Sequence, residues 1–381
     1  MDPRITFTRA STATFTGQNG RIQSAAINAP RFDYNPTTLA PLGLLIEEQR
    51  ANLLPRSEEF DNAAWGKSGA ATITANTAVS PDGTVNADLL NGTSPSDYVS
   101  QVPSYTSGIL YTHSCFVKAG VGSVVTLRGS GAVFGSEILV NYNLLTGVAT
   151  VAGGSPSGFN AINVGNGWWR CWFQATASAT ASAQFQIRPS TGSILLYGAQ
   201  LEVGAFPTSY IPTVASQVTR AADVAVMTGT NFSDWYNATE GTFFVNGLTN
   251  RPYSGSTGGQ FLSPAANAAN RMWIAQGTTT NFVNVNGQSS GSTQWDFSVG
   301  GAPVANQQTR AALAYATNNI AASANGSAVG TDTSAVIPTV TQLTIGIGVT
   351  LSAASTINGH IRQIVYYPRR LSNSELQGLT S

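Results

Sequence analysis

The chain has 381 residues, no net charge, 42% apolar residues and only 9% charged ones, against about a quarter charged in an ordinary globular domain. That balance excludes a charge-rich disordered chain. With two lysines, Lys67 and Lys118, beside sixteen arginines and no basic run, it gives no support to a nucleic-acid surface built on counterion release.

The polar surface must come from Ser, Thr, Asn, Gln and Gly. Thr, Val, Ile and aromatics suit a half-buried pleated surface, and Gly and Asn suit turns with positive φ. Few charges leave strand edges with little protection, so edges must be covered or paired, which points to an oligomer. The opening Met1-Asp2-Pro3-Arg4 lacks the apolar core of a signal peptide, and no apolar run reaches transmembrane length. A protein made in a cytoplasm and released by lysis is expected, with no membrane insertion.

In chain order, residues 1–50 form a Thr-rich strand at 5–15, turns at 18–21 and 31–36, and a short apolar strand at 42–47. The stretch is too poor in apolar residues to close a core alone, and it is expected as an attachment arm. Residues 51–213 carry short strands at 72–75, 98–102, 109–118, 123–128, 137–142, 161–164, 168–176, 183–188 and 194–201. Strands at this spacing predict a sandwich or jelly roll. Residues 214–381 add strands at 241–248, 271–276, 281–286, 310–316, 342–347 and 360–367, then one helix opened by the capping box Ser372-Asn373-Ser374-Glu375. The fold class is therefore all-β: an N-terminal arm, two β-sandwich domains and a short C-terminal helix. Seven Asn-Gly dipeptides, at 19, 91, 166, 246, 286, 325 and 358, read as two-residue hairpin turns; Asn325-Gly326 is expected to join strands at 320–324 and 327–329. No short repeat is present.

Enzymatic signals are thin. Gly287-Gln288-Ser289-Ser290-Gly291 matches the nucleophile-elbow pattern, with Asp332 and His360 following in the hydrolase order. It lies in a Ser/Gly-rich loop after a hairpin signal, not between a strand and a helix. The carboxylate groups Glu47/Glu48 and Glu58/Glu59/Asp61 could serve acid–base glycoside chemistry, but as charges at a module boundary they need no such role. His113 and His360 are the only histidines, and no calcium-loop pattern occurs. No cofactor or metal is called for, although calcium on backbone carbonyls with Asp223 or Asp332 stays compatible with the sequence. Cys115 and Cys171 sit in apolar strands as buried thiols, and whether they pair is a matter of geometry.

The aromatic residues offer the best binding chemistry. Sugars stack apolar C–H faces on flat rings and give hydroxyls to amides and Arg. Trp235, Tyr236, Tyr253, Trp273 and Trp295 in the third segment have Asn, Gln and Arg nearby. In the second, alternation puts Trp168, Arg170 and Trp172 on one face of a strand and Trp169, Cys171 and Phe173 on the other, leaving open which face is core. The candidate carbohydrate-binding residues are thus Trp235, Tyr236, Tyr253, Trp273, Trp295, Trp168 and Arg170, and no catalytic residue is assigned.

Three stretches carry a resemblance. Residues 5–14, ITFTRASTAT, lead to PLGLLIE at 41–47 and Asn52-Leu53-Leu54. GAQLEVG at 198–204 leads to TSYIPT at 208–213 and TRAAD at 219–223. Last comes Ile361-Arg362 with YYPRRLS at 366–372. Together they resemble head-spike and tail-fibre proteins of siphophages and prophages, including those of gene transfer agents. The resemblance implies a carbohydrate-binding-module-like jelly roll and a concanavalin- or laminin-G-like sandwich. It also implies attachment to other virion proteins through the N-terminal part, contact with host-surface polysaccharide, and a homotrimer. The leading expectation is a non-enzymatic phage or phage-derived virion protein that binds host glycan for attachment. A purely structural spike base or capsid decoration is the alternative, and a capsule-modifying hydrolase stands behind both.

Overall fold

The computed structural model describes residues 1–250, 258–277, 282–301 and 307–381. The chain is all-β, with four large sheets that pair into two sandwiches. In the jelly roll one six-stranded sheet runs Ala149–Gly153, Ile138–Asn143, Val124–Gly129, Phe185–Pro189, Tyr98–Gln101 and Gly66–Ser68. The facing sheet runs Gly158–Asn163, Trp168–Thr176, Leu110–Ala119, Gly192–Val203, Val85–Gly92 and Thr72–Val79. All their named pairs are antiparallel, and inward residues such as Val125, Leu127, Phe173, Phe185, Ile187 and Leu196 fill the space between them.

The second sandwich is where residues 1–50 belong. Thr6–Thr8 pairs with Val224–Thr228 at the margin of one seven-stranded sheet. Pro41–Ile46 pairs with Gly359–Tyr367, and Phe32–Tyr34 pairs with Pro41–Ile46, at the margin of the other. Phe7, Leu44 and Ile46 are buried in this core beside Phe243, Ile274 and Leu313. The segment expected as an attachment arm, too apolar-poor to close a core of its own, finds its partner surface within the chain and completes two sheets whose margins would otherwise be bare. The jelly roll is consequently an insertion within the second sandwich. The chain leaves through Arg50–Asn52 and returns through Val218–Arg220, and these two strands pair with each other, Arg50 opposite Arg220.

The remaining hairpin, Ala13–Thr16 with Ile22–Ala25, reaches across to the jelly roll. Ile22 packs against Phe116, Trp168, Tyr197 and Tyr210 there, and its N–H donates to the Pro81 carbonyl at 3.0 Å.

At the C-terminus the helix Asn373–Thr380 begins with the expected capping box, Ser372 Oγ accepting from Glu375 N and Glu375 accepting from Ser372 N. Cys115 and Cys171 lie opposite one another in register and are both free and buried. Asn325-Gly326 is a turn with positive φ at both residues, but the returning strand is Gly330–Asp332 rather than 327–329. Among the described residues no helix is long and apolar enough to cross a membrane.

Candidate functional site

Where the two sandwiches meet lies a buried network of ion pairs. Arg31 donates to Glu47 Oε2 at 2.8 Å and to Asp223; Arg9 donates to Asp223 Oδ1 at 3.1 Å; Arg220 donates to Glu47 Oε2 at 2.7 Å. All five side chains are buried. Ser209 joins them, its Oγ donating to Glu47 at 2.7 Å and accepting from Arg31 and Arg220. Burial alone would raise the Glu47 carboxyl, but the guanidinium groups of Arg220 and Arg31 outweigh it and hold it well below the carboxylate range. Asp223, compatible by sequence with a calcium ion, is engaged by two arginines and the Glu47 N–H, and Asp332 caps its own turn at Ser334. Among the described residues no three His, Cys, Asp or Glu gather as a metal site.

Above this network opens a cleft of about 560 Å³, walled by both sandwiches and by the 13–25 hairpin. Its floor comes from Trp168–Thr176. There Cys171 and Phe173 face the jelly-roll core and Trp169 packs against it, which places Trp168, Arg170 and Trp172 on the opposite face. Trp168 is fully covered, its Nε1 donating to the Val79 carbonyl at 3.1 Å. Arg170 is buried on the cleft floor, donating to the Thr208 carbonyl at 2.5 Å and to Ser114 Oγ at 3.2 Å. Trp172 lines the cleft and is half-buried.

Neither Trp172 Nε1 nor Arg170 Nε has a hydrogen-bond partner among the described residues. The neighbouring strand sets Asn160 opposite Trp172 and Ile162 opposite Arg170. The Oδ1 atoms of Asn160 and Asn163 accept from Ala161 N and Gly165 N, both at 2.9 Å, which orients the two amides at the rim. The far wall presents Tyr34, Asn250 and the pair His360 Nε2–Asp33 Oδ2 at 2.7 Å, with Phe206 between the walls. His360, aligned in sequence with a hydrolase triad, therefore pairs with Asp33 and not with Asp332. Ser289 ends a strand at a hairpin turn with no helix after it.

The other described sequence candidates do not line the cleft. Trp295 is buried over Gly287. Trp235 and Tyr236 are half-buried in an aromatic cluster with Phe232, Phe243 and Tyr366; Trp235 Nε1 donates to the Asn231 carbonyl at 2.6 Å. Trp273 lies half-buried on a sheet face under the Arg271 guanidinium, 4.5 Å from its ring centre, with Nε1 held by Asn284 at 2.9 Å. Tyr253 lies outside the described residues. What the candidate set lacked was Trp172 itself, although alternation put it beside Arg170. The residues facing it come from distant segments and left no local signal.

No protein-family model matches the chain, and no curated protein does. Among solved structures it is similar to the CBM40 of Ruminococcus gnavus IT-sialidase bound to α2,3-sialyllactose, at 16% identity, over 38% of this chain and 84% of that one, with a TM-score of 0.32. It is similar to mouse laminin α1 domains LG4-5 at 10% identity, over 74% and 88%, with a TM-score of 0.28. It is also similar to the CBM22-1–CBM22-2 tandem of Paenibacillus barcinonensis Xyn10C at 8% identity, over 83% and 97%, with a TM-score of 0.27.

Proposed function

We propose that this is a glycan-binding virion protein, a head spike or tail fibre of a tailed phage or phage-derived particle, and that the inter-sandwich cleft takes the sugar. The observation that carries the binding half is the half-buried Trp172 ring lining a cleft with the exposed, oriented amides of Asn160 and Asn163 beside it. A ring supplies the stacking surface for a sugar C–H face, and amides supply hydroxyl partners. At about 560 Å³ the cleft falls in the size range of small-ligand sites, roughly 300–1,000 Å³. The carboxylates that border it are already committed, Glu47 to arginines and Asp33 to His360. Amides and ring faces remain for the ligand, which suits binding without catalysis.

The virion half rests on the three resembling stretches. In this reading the protein is made in the host cytoplasm, carried on the particle beside other virion proteins and used for host attachment. Several weak sites on one particle, as in a homotrimer, raise effective affinity by orders of magnitude.

The test is binding of purified protein to whole host cells before and after periodate oxidation of surface sugars, alongside Trp172→Ala and Asn160→Ala. Saturable binding abolished by periodate, and weakened about tenfold or more by Trp172→Ala, is the expected result; loss of one ring–base or ring–sugar stack is worth roughly 1–3 kcal/mol by analogy with nucleobases. Binding indifferent to both treatments would overturn the glycan reading.

A further inference from the structure

We propose that one side of the jelly roll, formed by its outermost strands Ala149–Gly153 and Gly158–Asn163, is a self-association surface that receives a second copy of this chain. The two strands are consecutive in the chain and lie at the same end of the two facing sheets, each with one edge unpaired. The sandwich is open between them. Val151 is opposite the fully buried Val140 in register, and Phe159 is opposite the fully buried Phe173. Directly opposed residues share a sheet face, so both side chains point toward the core side of their sheets. Yet Val151 is 42% and Phe159 36% exposed, and the adjoining Leu145 and Val148 are 72% and 57% exposed. Core-facing side chains thus meet solvent at this side.

Charge marks the same place. No charged residue occurs between Glu137 and Arg170, a stretch that contains both strands. Of the outermost strands elsewhere, Thr6–Thr8 and Thr72–Val79 are also uncharged, but each lies at the same sandwich end as a charged one: Phe32–Tyr34 carries Asp33 and Gly66–Ser68 carries Lys67, while Ser292–Val299 carries Asp296 and Gly330–Asp332 ends in Asp332. Charges on an edge strand are the usual protection against strand pairing, and among the described residues this is the sandwich end at which both outermost strands are uncharged and apolar side chains are exposed.

Unpaired backbone N–H and C=O groups select a partner that is itself a strand edge. A surface with no charge meets its own copy without repulsion, and it offers no fixed charge by which to select a different partner. Self-complementary patches of this kind close into symmetric assemblies. Ile162 belongs to this side and also lines the cleft, so association would bring the clefts of neighbouring copies close together.

The experiment is sedimentation equilibrium of the full chain, wild type against Phe159→Lys and, separately, Thr150→Lys. The second change lies on the exposed face of its strand, touches no core and guards against a folding failure of the first. Circular dichroism checks that each variant is folded. The wild type should run at a multiple of 39.6 kDa, and a folded variant should fall to that single-chain mass. A wild type that stays at the single-chain mass at its highest soluble concentration, or a multimer that survives both charges, would overturn the proposal.

Discussion

The jelly-roll core and the junction between the sandwiches both exclude water, and they do so with opposite chemistry. In the core, titratable groups were buried without an opposite charge. Burial pushes His113 down to about 3 and pushes the Cys115 and Cys171 thiols up, so each sits neutral; His113 stacks on Phe173 at 4.4 Å and meets the Tyr105 hydroxyl at 2.9 Å. At the junction Glu47 lies between two guanidinium groups and stays ionised despite full burial. Desolvation wins where it acts alone and loses where paired charges and hydrogen bonds converge. The consequence is a division of labour. Apolar packing closes each sandwich and tolerates exchange of similar side chains, whereas the ion pairs among Arg9, Arg31, Arg220, Glu47 and Asp223, all from segments of the second sandwich, take hold of the jelly roll through Ser209.

The largest effect is expected at Asp223. Asp223→Ala leaves Arg9 and Arg31 buried with less compensation, and removing one partner of a buried pair costs about 3–5 kcal/mol. Urea unfolding, with the midpoint shift multiplied by the m-value, should show a stability loss of that size. A loss below about 1 kcal/mol, the worth of an exposed pair, would mean that water reaches the junction.

Acid separates the two regions next. His113 has a folded value below its unfolded one, so between about pH 6.5 and its folded value of about 3 the unfolded chain holds the extra proton. Stability should fall through that window by about 1.4 kcal/mol per pH unit, hence by roughly 3 kcal/mol near pH 4.5. Glu47, with its folded value depressed, contributes fully above the unfolded carboxylate value of about 4.3 and loses that contribution only as pH falls below it. The core therefore weakens before the junction does. His113→Phe should flatten the slope between about pH 6.5 and 4.5 and leave the steeper acid limb in place; urea midpoints across pH measure both, and an unchanged upper slope would show that His113 is not the group responsible.

Much of the architecture was legible because it is local. Alternation in Trp168–Thr176 set apart the two faces correctly, and Ser372 with Glu375 marked the one long helix. The Asn-Gly signal was less uniform. Asn166-Gly167 and Asn325-Gly326 are turns with positive φ at both residues, but Asn246-Gly247 and Asn286-Gly287 lie inside strands. There the glycine is needed for space: a Cβ on Gly287 would stand 2.2 Å from the Trp295 ring, and one on Gly247 would stand 2.7 Å from the His360 carbonyl oxygen. The partners of residues 1–50 were illegible for a different reason. These partners, Val224–Thr228 and Gly359–Tyr367, lie roughly two to three hundred residues away, and a strand pattern names no partner. The junction was equally hidden, since its ions come from separate segments and each reads alone as a surface charge. Yet Arg9, Glu47, Ser209, Arg220 and Asp223 all fall within the stretches that carry the phage-protein resemblance. Those stretches thus include residues of the junction between the two sandwiches.

The same substitution made twice sharpens the comparison to a single hydrogen-bonding group. Ser209 at the junction donates to Glu47 and accepts from two arginines, so Ser209→Ala strips a charged, largely dry site of one partner, at a cost of about 1–3 kcal/mol. Ser372 caps an exposed helix end, where water can replace the lost oxygen; Ser372→Ala should cost about 1 kcal/mol or less. Both are read from urea midpoints of otherwise identical proteins. The ordering matters more than either value. If Ser209→Ala proves no worse than Ser372→Ala, the junction is solvated in solution, and the fixed angle between the sandwiches would have to come from the 13–25 hairpin and the strand pair Arg50–Asn52 with Val218–Arg220 instead.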